Sequence, residues 1–175
     1  MNYTFDNFVM DVDVTKVGGP DDNGIIVLFR LQDHGNYNRF DISSDGFYSV
    51  SKARGNQPIQ VSDWNRSDAI HVGDASNHIR IRAIGDAFQF EVNSIPLKLC
   101  IADDPDVLPI WDTSGTDPAC LGGTIVDTWH DSDLMRGEIG LGAQGIVGFD
   151  GENTTPALAS IEFDNLLIVP PDSQP

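Results

Sequence analysis

The stretch Gly24-Ile-Ile-Val-Leu-Phe-Arg-Leu-Gln-Asp-His-Gly-Asn-Tyr-Asn-Arg-Phe-Asp-Ile-Ser-Ser-Asp-Gly-Phe-Tyr-Ser-Val-Ser-Lys-Ala53 decides the fold class. It divides into three strand patterns, Ile25 to Gln32, Tyr37 to Ile42 and Phe47 to Ala53. Their connectors, residues 33–36 and 43–46, are made of Asp, His, Gly, Asn and Ser. These are mostly residues that tolerate tight-turn dihedrals. Three strands with such short connectors predict an antiparallel meander, and hence an all-β sandwich or barrel.

The same period continues on both sides. From Tyr3 to Thr15, Phe8, Met10, Val12 and Val14 alternate with Val9, Asp11, Asp13 and Thr15, one face apolar and one largely acidic. Further strands are expected at Asn77 to Ile84, Ala87 to Val92 and Ile95 to Leu99, with Gly85-Asp86 and Asn93-Ser94 as turns. Glu138 to Gln144 and Ala159 to Val169 complete the set. Residues 54–76 read as polar and irregular, with Trp64 a lone anchor and a helical turn expected near Asn65 to Ile70. The apolar phase of the strands predicts a core of Ile25, Val27, Phe29, Ile79, Ile81, Phe88, Phe90, Ile139, Leu141 and Phe163. Residues 1–169 are expected to form one domain, and 170–175, rich in proline, a linker or tail.

The net charge is −17, from 27 acidic and 10 basic residues among 175. Nucleic-acid binding needs a positive footprint, so this balance disfavours it. An acidic surface suits solubility, a cation such as calcium, or a neutral ligand. No apolar run approaches 18 residues, so direct membrane insertion is not expected. Residues 1–20 lack the basic start and apolar stretch of a secretory leader.

Residues 100–133 read as an insertion. Eight aspartates and no Lys or Arg lie between Leu99 and Met135, and prolines 105, 109 and 118 break regular structure. A loop of this length in a compact domain is usually functional or stapled. Cys100 and Cys120 flank its most polar part. A disulfide between them would stabilise by about 3 kcal/mol and place the chain outside a reducing compartment; two unpaired buried thiols are the alternative. Two acidic groups suggest calcium: Asp103, Asp104 and Asp106 in one loop, and Asp127, Asp131 and Asp133 in another. Their spacing departs from the EF-hand template, and a solvated acidic loop is the alternative.

The ordered set of short elements resembles the concanavalin A-like lectin/glucanase superfamily, and more narrowly the laminin-G-like jelly-roll domains of bacterial surface and secreted proteins. The elements are Gly24 to Arg30, Asn36 to Phe40, Asp45 to Tyr48, Asn77 to Arg80, Phe90 to Asn93, Gly137 to Leu141 and Phe163 to Asn165. The resemblance implies a two-sheet antiparallel jelly-roll β-sandwich, in a chain that starts short of the usual opening strands. It also implies an extracytoplasmic setting, secreted or at the cell surface, within a larger parent chain whose leader this chain lacks.

Glucan-hydrolysing members resemble one another in a Glu-x-Asp-x-(x)-Glu strand, which is absent here; Glu91 and Glu138 stand alone. The expected function is therefore non-catalytic recognition of carbohydrate or another surface ligand. A structural or adhesive spacer is the main rival and a glycoside-acting enzyme the third reading. Sugars are held by aromatic stacking and polar fixing groups on a shallow surface. Arg30, Tyr37, Arg39 and Tyr48 are expected to line such a groove, with Trp64 at its rim. The alternative is a structural network in which the arginines pair with Asp41 and Asp164.

Overall fold

The computed structural model describes residues 3–104, 106–115, 118–145, 147–150, 153–156 and 158–173. It is an antiparallel jelly-roll β-sandwich, with one short 3-10 turn at Pro171–Ser173 besides its strands. Seven strands carry most of the framework: β1 (Phe8–Gly18), β2 (Gly24–Asp33), β3 (Asn36–Ile42), β4 (Phe47–Arg54), β5 (Gln57–Arg66), β6 (Asn77–Ile84) and β7 (Ala87–Val92). One sheet runs Trp129–His130, β7, β6, β1, Ser160–Val169, with Ile95–Pro96 also pairing with β7. The other runs Glu138–Gln144, β2, β3, β4, β5. The meander β2–β3–β4 is the one expected from residues 24–53.

Strand β5 corrects the expectation of an irregular segment after residue 54. Its hairpin to β4 turns on Gly55 and Asn56, at φ of 57° and 65°. Two consecutive left-handed residues make the turn that matches the twist of paired strands, and Gly-Asn is a pair able to adopt it. Of the helical turn expected over Asn65 to Ile70, the second half forms only a single turn, with the Ile70 amide on the Ser67 carbonyl at 3.2 Å, while Asn65 and Arg66 belong to β5. Asn65 is almost completely buried, with its amide on the Tyr48 hydroxyl at 3.1 Å.

Between the sheets lies a core of aliphatic and aromatic side chains. Phe29 from β2 meets Phe88 and Phe90 from β7 at ring separations of 5.2 and 6.0 Å. Phe40 from β3 stacks on Phe90 at 4.8 Å. Seven of the ten core residues expected from the alternation are buried: Ile25, Val27, Phe29, Ile79, Ile81, Phe88 and Phe90. Ile139, Leu141 and Phe163 are partly buried against the same cluster, because they lie on the edge strands of their sheets. On β1 the apolar phase, Phe8, Met10, Val12 and Val14, faces the core. Its acidic phase faces out, where Asp11 takes Arg80 Nε at 2.7 Å and Asp13 lies 2.7 Å from His78 Nδ1.

Within the aspartate-rich insertion the described residues form two small antiparallel strand pairs. Leu99–Ala102 pairs with Gly123–Val126, and Ile110–Asp112 with Ala119–Leu121. Cys100 and Cys120 are joined by a disulfide with a Cα–Cα separation of 5.4 Å. Ser62 of β5 ties this unit to the sandwich: its hydroxyl oxygen accepts from the Cys100 amide at 3.1 Å and from Trp111 Nε1 at 3.4 Å. In the chain-entropy account, closing this loop stabilises the fold by about 3 kcal/mol. Denaturant melts with and without reductant should therefore differ by about 2–4 kcal/mol. A difference below about 1 kcal/mol would mean that the strand pairs order themselves without the bridge.

Candidate ligand groove on the five-stranded sheet

Alternation puts Tyr37, Arg39 and Asp41 of β3 on the outer face of the five-stranded sheet, opposite Phe40 and Ile42. Ser49 and Ser51 of β4 are their cross-strand partners, and Gln60 of β5 is the next neighbour of Ser51. Arg39, Asp41, Ser49, Ser51 and Gln60, with Asp22, Asn23, Gly24, Gln144 and Trp64, line an open groove of about 350 Å³. Two depressions continue it. One shares Arg39 and is lined by Ile26, Leu28, Tyr37, His34 and Leu141. The other shares Trp64 and Asp22 and reaches Phe47. The shared residues make one trough across the strands, largely apolar at the Ile26 and Leu141 end, polar in the middle, and mixed at the other end, where Ser43 and Asp45 adjoin Phe47 and Trp64.

Arg39 and Asp41 form the polar centre. The guanidinium donates to the carboxylate through Nε at 2.7 Å and through Nη2 at 2.6 Å. Nη2 also donates to Gln144 Oε1 at 2.8 Å, tying β3 to the edge strand. Burial pushes the Asp41 carboxyl above its usual value, and Arg39 only partly offsets that. Burial also pulls at Arg39, but the hydrogen bond and charge of Asp41 outweigh it and raise the guanidinium further. The pair is thus a fixed, net-neutral set of donors and acceptors on the groove floor. Gly24 keeps the floor open: a β-carbon there would lie 3.2 Å from Gln144 Cβ and 3.6 Å from Asp41 Oδ1. Trp64, 42% exposed, is the aromatic flank.

Of the five residues expected to bind ligand, Tyr37, Arg39 and Trp64 line this trough. Arg30 and Tyr48 do not: the structure corrects their expected place on this face. Arg30 is fully buried. Its φ of 53°, in a break of the β2–β3 register between Phe29 and Asp33, turns it inward directly after inward-facing Phe29. The guanidinium donates to the carbonyls of Phe5 (3.1 Å), Gly85 (3.1 Å) and Met135, between the rings of Phe8 and Phe88. Burial pulls its pKa down. Gly137 packs on the same bulge, where a β-carbon would come within 2.2 Å of the Arg30 carbonyl carbon. Tyr48 is 2% exposed and pairs with Ile42, on the core side of β3–β4; its hydroxyl donates to the Lys98 carbonyl. The network foreseen as the alternative is present in part, since Arg39 does pair with Asp41, whereas Asp164 belongs to the other sheet.

Several of the aspartates expected to hold calcium are engaged by other groups. Asp131 and Asp133 are held by Lys52 and by Arg54, the latter at 3.0 and 3.1 Å. The Lys52 hydrogen bond is the main cause holding the Asp133 carboxyl below its usual value. Asp103 accepts from Thr124 Oγ1 at 2.8 Å, and Asp104 from the Asp106 amide at 2.9 Å. Among the described residues no three His, Cys, Asp or Glu side chains converge as a metal-ligand set.

No family model and no curated protein matches the chain. Solved structures do. The carbohydrate-binding module CBM66 from Bacillus subtilis superposes with a TM-score of 0.58 at 15% identity, over 95% of this chain and 76% of that one. Sheep galectin-11, in complex with glycerol, superposes with a TM-score of 0.57 at 10% identity, over 96% of this chain and 97% of that one. A Parabacteroides distasonis protein assigned provisionally as a glycosyl hydrolase gives 0.51 at 14% identity, over 96% and 80%. At these identities the likeness shows the fold: a lectin-like β-sandwich.

Proposed function

We propose that the chain is a non-catalytic carbohydrate-recognition domain of the laminin-G-like kind, and that it binds a neutral saccharide along the outer face of the five-stranded sheet. The observation that carries this reading is the groove itself. It presents fixed polar groups at its centre, an exposed indole at its flank and no net charge from the Arg39–Asp41 pair. Hydroxyl-rich, uncharged rings with one apolar face complement such a surface. Two of the similar folds are a carbohydrate-binding module and a galectin, which supports the reading by analogy of fold. The trough's carboxylates are Asp22, Asp41 and Asp45; Asp41 is committed to Arg39, and Asp45 accepts from the Ser43 hydroxyl. An extracytoplasmic setting, within a larger surface or secreted protein, fits the disulfide.

Trp64→Ala should weaken binding of the cognate neutral glycan at least about tenfold, the scale of one lost stacking contact of about 1.5 kcal/mol. The melting temperature should change little, since the indole is exposed. Calorimetric titration beside thermal melts reads both, with calcium and with chelator as parallel arms. A Trp64→Ala protein that melts like wild type and binds equally well would overturn the groove as the site.

The pH dependence has a definite sign. Because the Asp41 pKa is raised in the fold, Asp41 takes a proton more readily folded than unfolded, so its own contribution to stability grows as pH falls through the folded value. The protonated acid loses its charge-assisted bonds to Arg39. Glycan affinity should therefore fall on acidification, beginning above the pH at which a free aspartate titrates. Asp41→Asn should flatten that limb; an unchanged acid limb in this variant would place the titrating group elsewhere.

A further inference from the structure

A second cleft lies at the edge of β5, roofed by the disulfide-bridged strand pairs. It measures about 420 Å³ and is lined by Tyr48, Asn65, Arg66, Ser67, Pro96, Leu97, Lys98, Trp111, Pro118 and Ile125. Its volume is that of a small-molecule site. Its walls are fixed: the indole of Trp111 is tethered through Nε1 to Ser62, and the Tyr48 hydroxyl both donates to the Lys98 carbonyl and accepts from Asn65.

Its described lining is basic. None of the ten lining residues is a carboxylate, in a chain with 27 acidic residues and 10 basic ones. Two of those basic residues, Arg66 and Lys98, meet at this cleft. The ion pairs among the described residues engage Lys16, Arg39, Lys52, Arg54 and Arg80, with His78 and His130, and neither Arg66 nor Lys98. An exposed local positive field in a strongly acidic protein selects against most of the protein's own surface and for a small anion.

We propose that this cleft is a second binding site, specific for an acidic saccharide. The sugar ring would stack against Trp111 between Pro96 and Pro118, and its carboxylate or sulfate would reach Arg66 and Lys98. The chemistry shared by both sources is an anionic group on a pyranose-sized, partly apolar ring. Arg offers a planar fork to it and Lys a mobile point charge. Asn65 and Ser67 supply neutral hydrogen-bonding groups beside them. The site is independent of the neutral-sugar groove, because the two share no residue.

The test titrates the intact protein with galacturonate oligosaccharides, with their methyl-esterified neutral forms, and with sulfated galactan oligosaccharides. At least one anionic probe should bind, at least tenfold more tightly than its neutral counterpart, and weaken as salt rises. The double variant Arg66→Gln/Lys98→Gln, both exposed positions, should lose that binding while melting like wild type. Trp111→Phe should weaken it, and Trp64→Ala in the groove should leave it unchanged. Binding of galacturonate alone, or of the sulfated probe alone, would each support the site and name its anion. Equal affinity for acidic and neutral forms, no binding of either anion, or loss in Trp64→Ala but not in the Arg66/Lys98 variant would each overturn it. Failure here would leave neutral-glycan binding in the groove untouched.

Discussion

Arg30→Ala should destabilise the fold by at least about 3 kcal/mol, more than any substitution in the groove. Three backbone carbonyls from distant parts of the chain, at residues 5, 85 and 135, lose their shared charged donor in this variant. Hydrogen bonds to a charged group contribute about 1.5–3 kcal/mol each; the Phe5 carbonyl keeps the Gly137 amide as a donor at 3.1 Å, so its loss is the smallest of the three. Partial rehydration keeps the sum below the simple total. The rings of Phe8 and Phe88 also lose the cation they flank, at 5.8 and 5.7 Å. Arg30→Lys should fall between wild type and alanine, because an ammonium cannot reproduce the planar fork that reaches all three carbonyls. Urea melts of the three proteins check this. A loss below about 1 kcal/mol for Arg30→Ala would mean that water replaces the guanidinium and that the clamp is dispensable.

Phe29→Ala, one residue earlier, should cost about 3–5 kcal/mol. Phe29 is fully buried and touches Phe88 and Phe90 across the sandwich, so the vacated volume opens between two sheets rather than at an edge. The sheets are wide and antiparallel, and neither can close on the gap without shifting the register of every neighbour. Phe29→Leu should recover much of the loss. A cost below about 1 kcal/mol for Phe29→Ala would show that β2 is not registered as described.

These two neighbours mark how far the fold could be read from the chain. Phe29 was legible as part of the apolar run Ile25 to Phe29, although Ile26 and Leu28 on the outer face are apolar too and the alternation is clear only in burial. Arg30 was not, because its left-handed φ and the register break around it suspend the alternation for this residue. An arginine is an improbable core residue, and its partners are carbonyls from residues 5, 85 and 135, which no local pattern links to position 30. Tyr48 was misplaced for a different reason. Its strand partner is Ile42, and strict alternation across the hairpin would have put both on the face opposite Tyr37. Strand β5 was obscured by its many polar residues, among them Gln60, Ser62, Asp63 and Asn65, and by bulges that interrupt its register with β4. The Gly55-Asn56 pair was the available signal. The groove was legible in part: the β3 phase carrying Tyr37, Arg39 and Asp41 could be read directly. Ser49, Ser51, Gln60 and Gln144 could not, because serines and glutamines on a strand carry no mark of which neighbours will adjoin them. The acidic loops looked like a cation site from composition alone, but Lys52 and Arg54, about 80 residues upstream, are the groups that answer Asp131 and Asp133.

The proposed neutral-saccharide site is the outer face of the five-stranded sheet. Backbone-amide NMR, with titration of gluco-, galacto- and manno-oligosaccharides into the isotope-labelled protein, tests it most directly. The predicted result is that one of these series shifts the amides of residues 22–24, 39–41, 49–51, 60–64 and 144, and leaves the outer face of β1 and β6 around Asp13 and His78 unmoved. Shifts confined to that opposite face, or no shift with any neutral oligosaccharide at millimolar concentration, would contradict it.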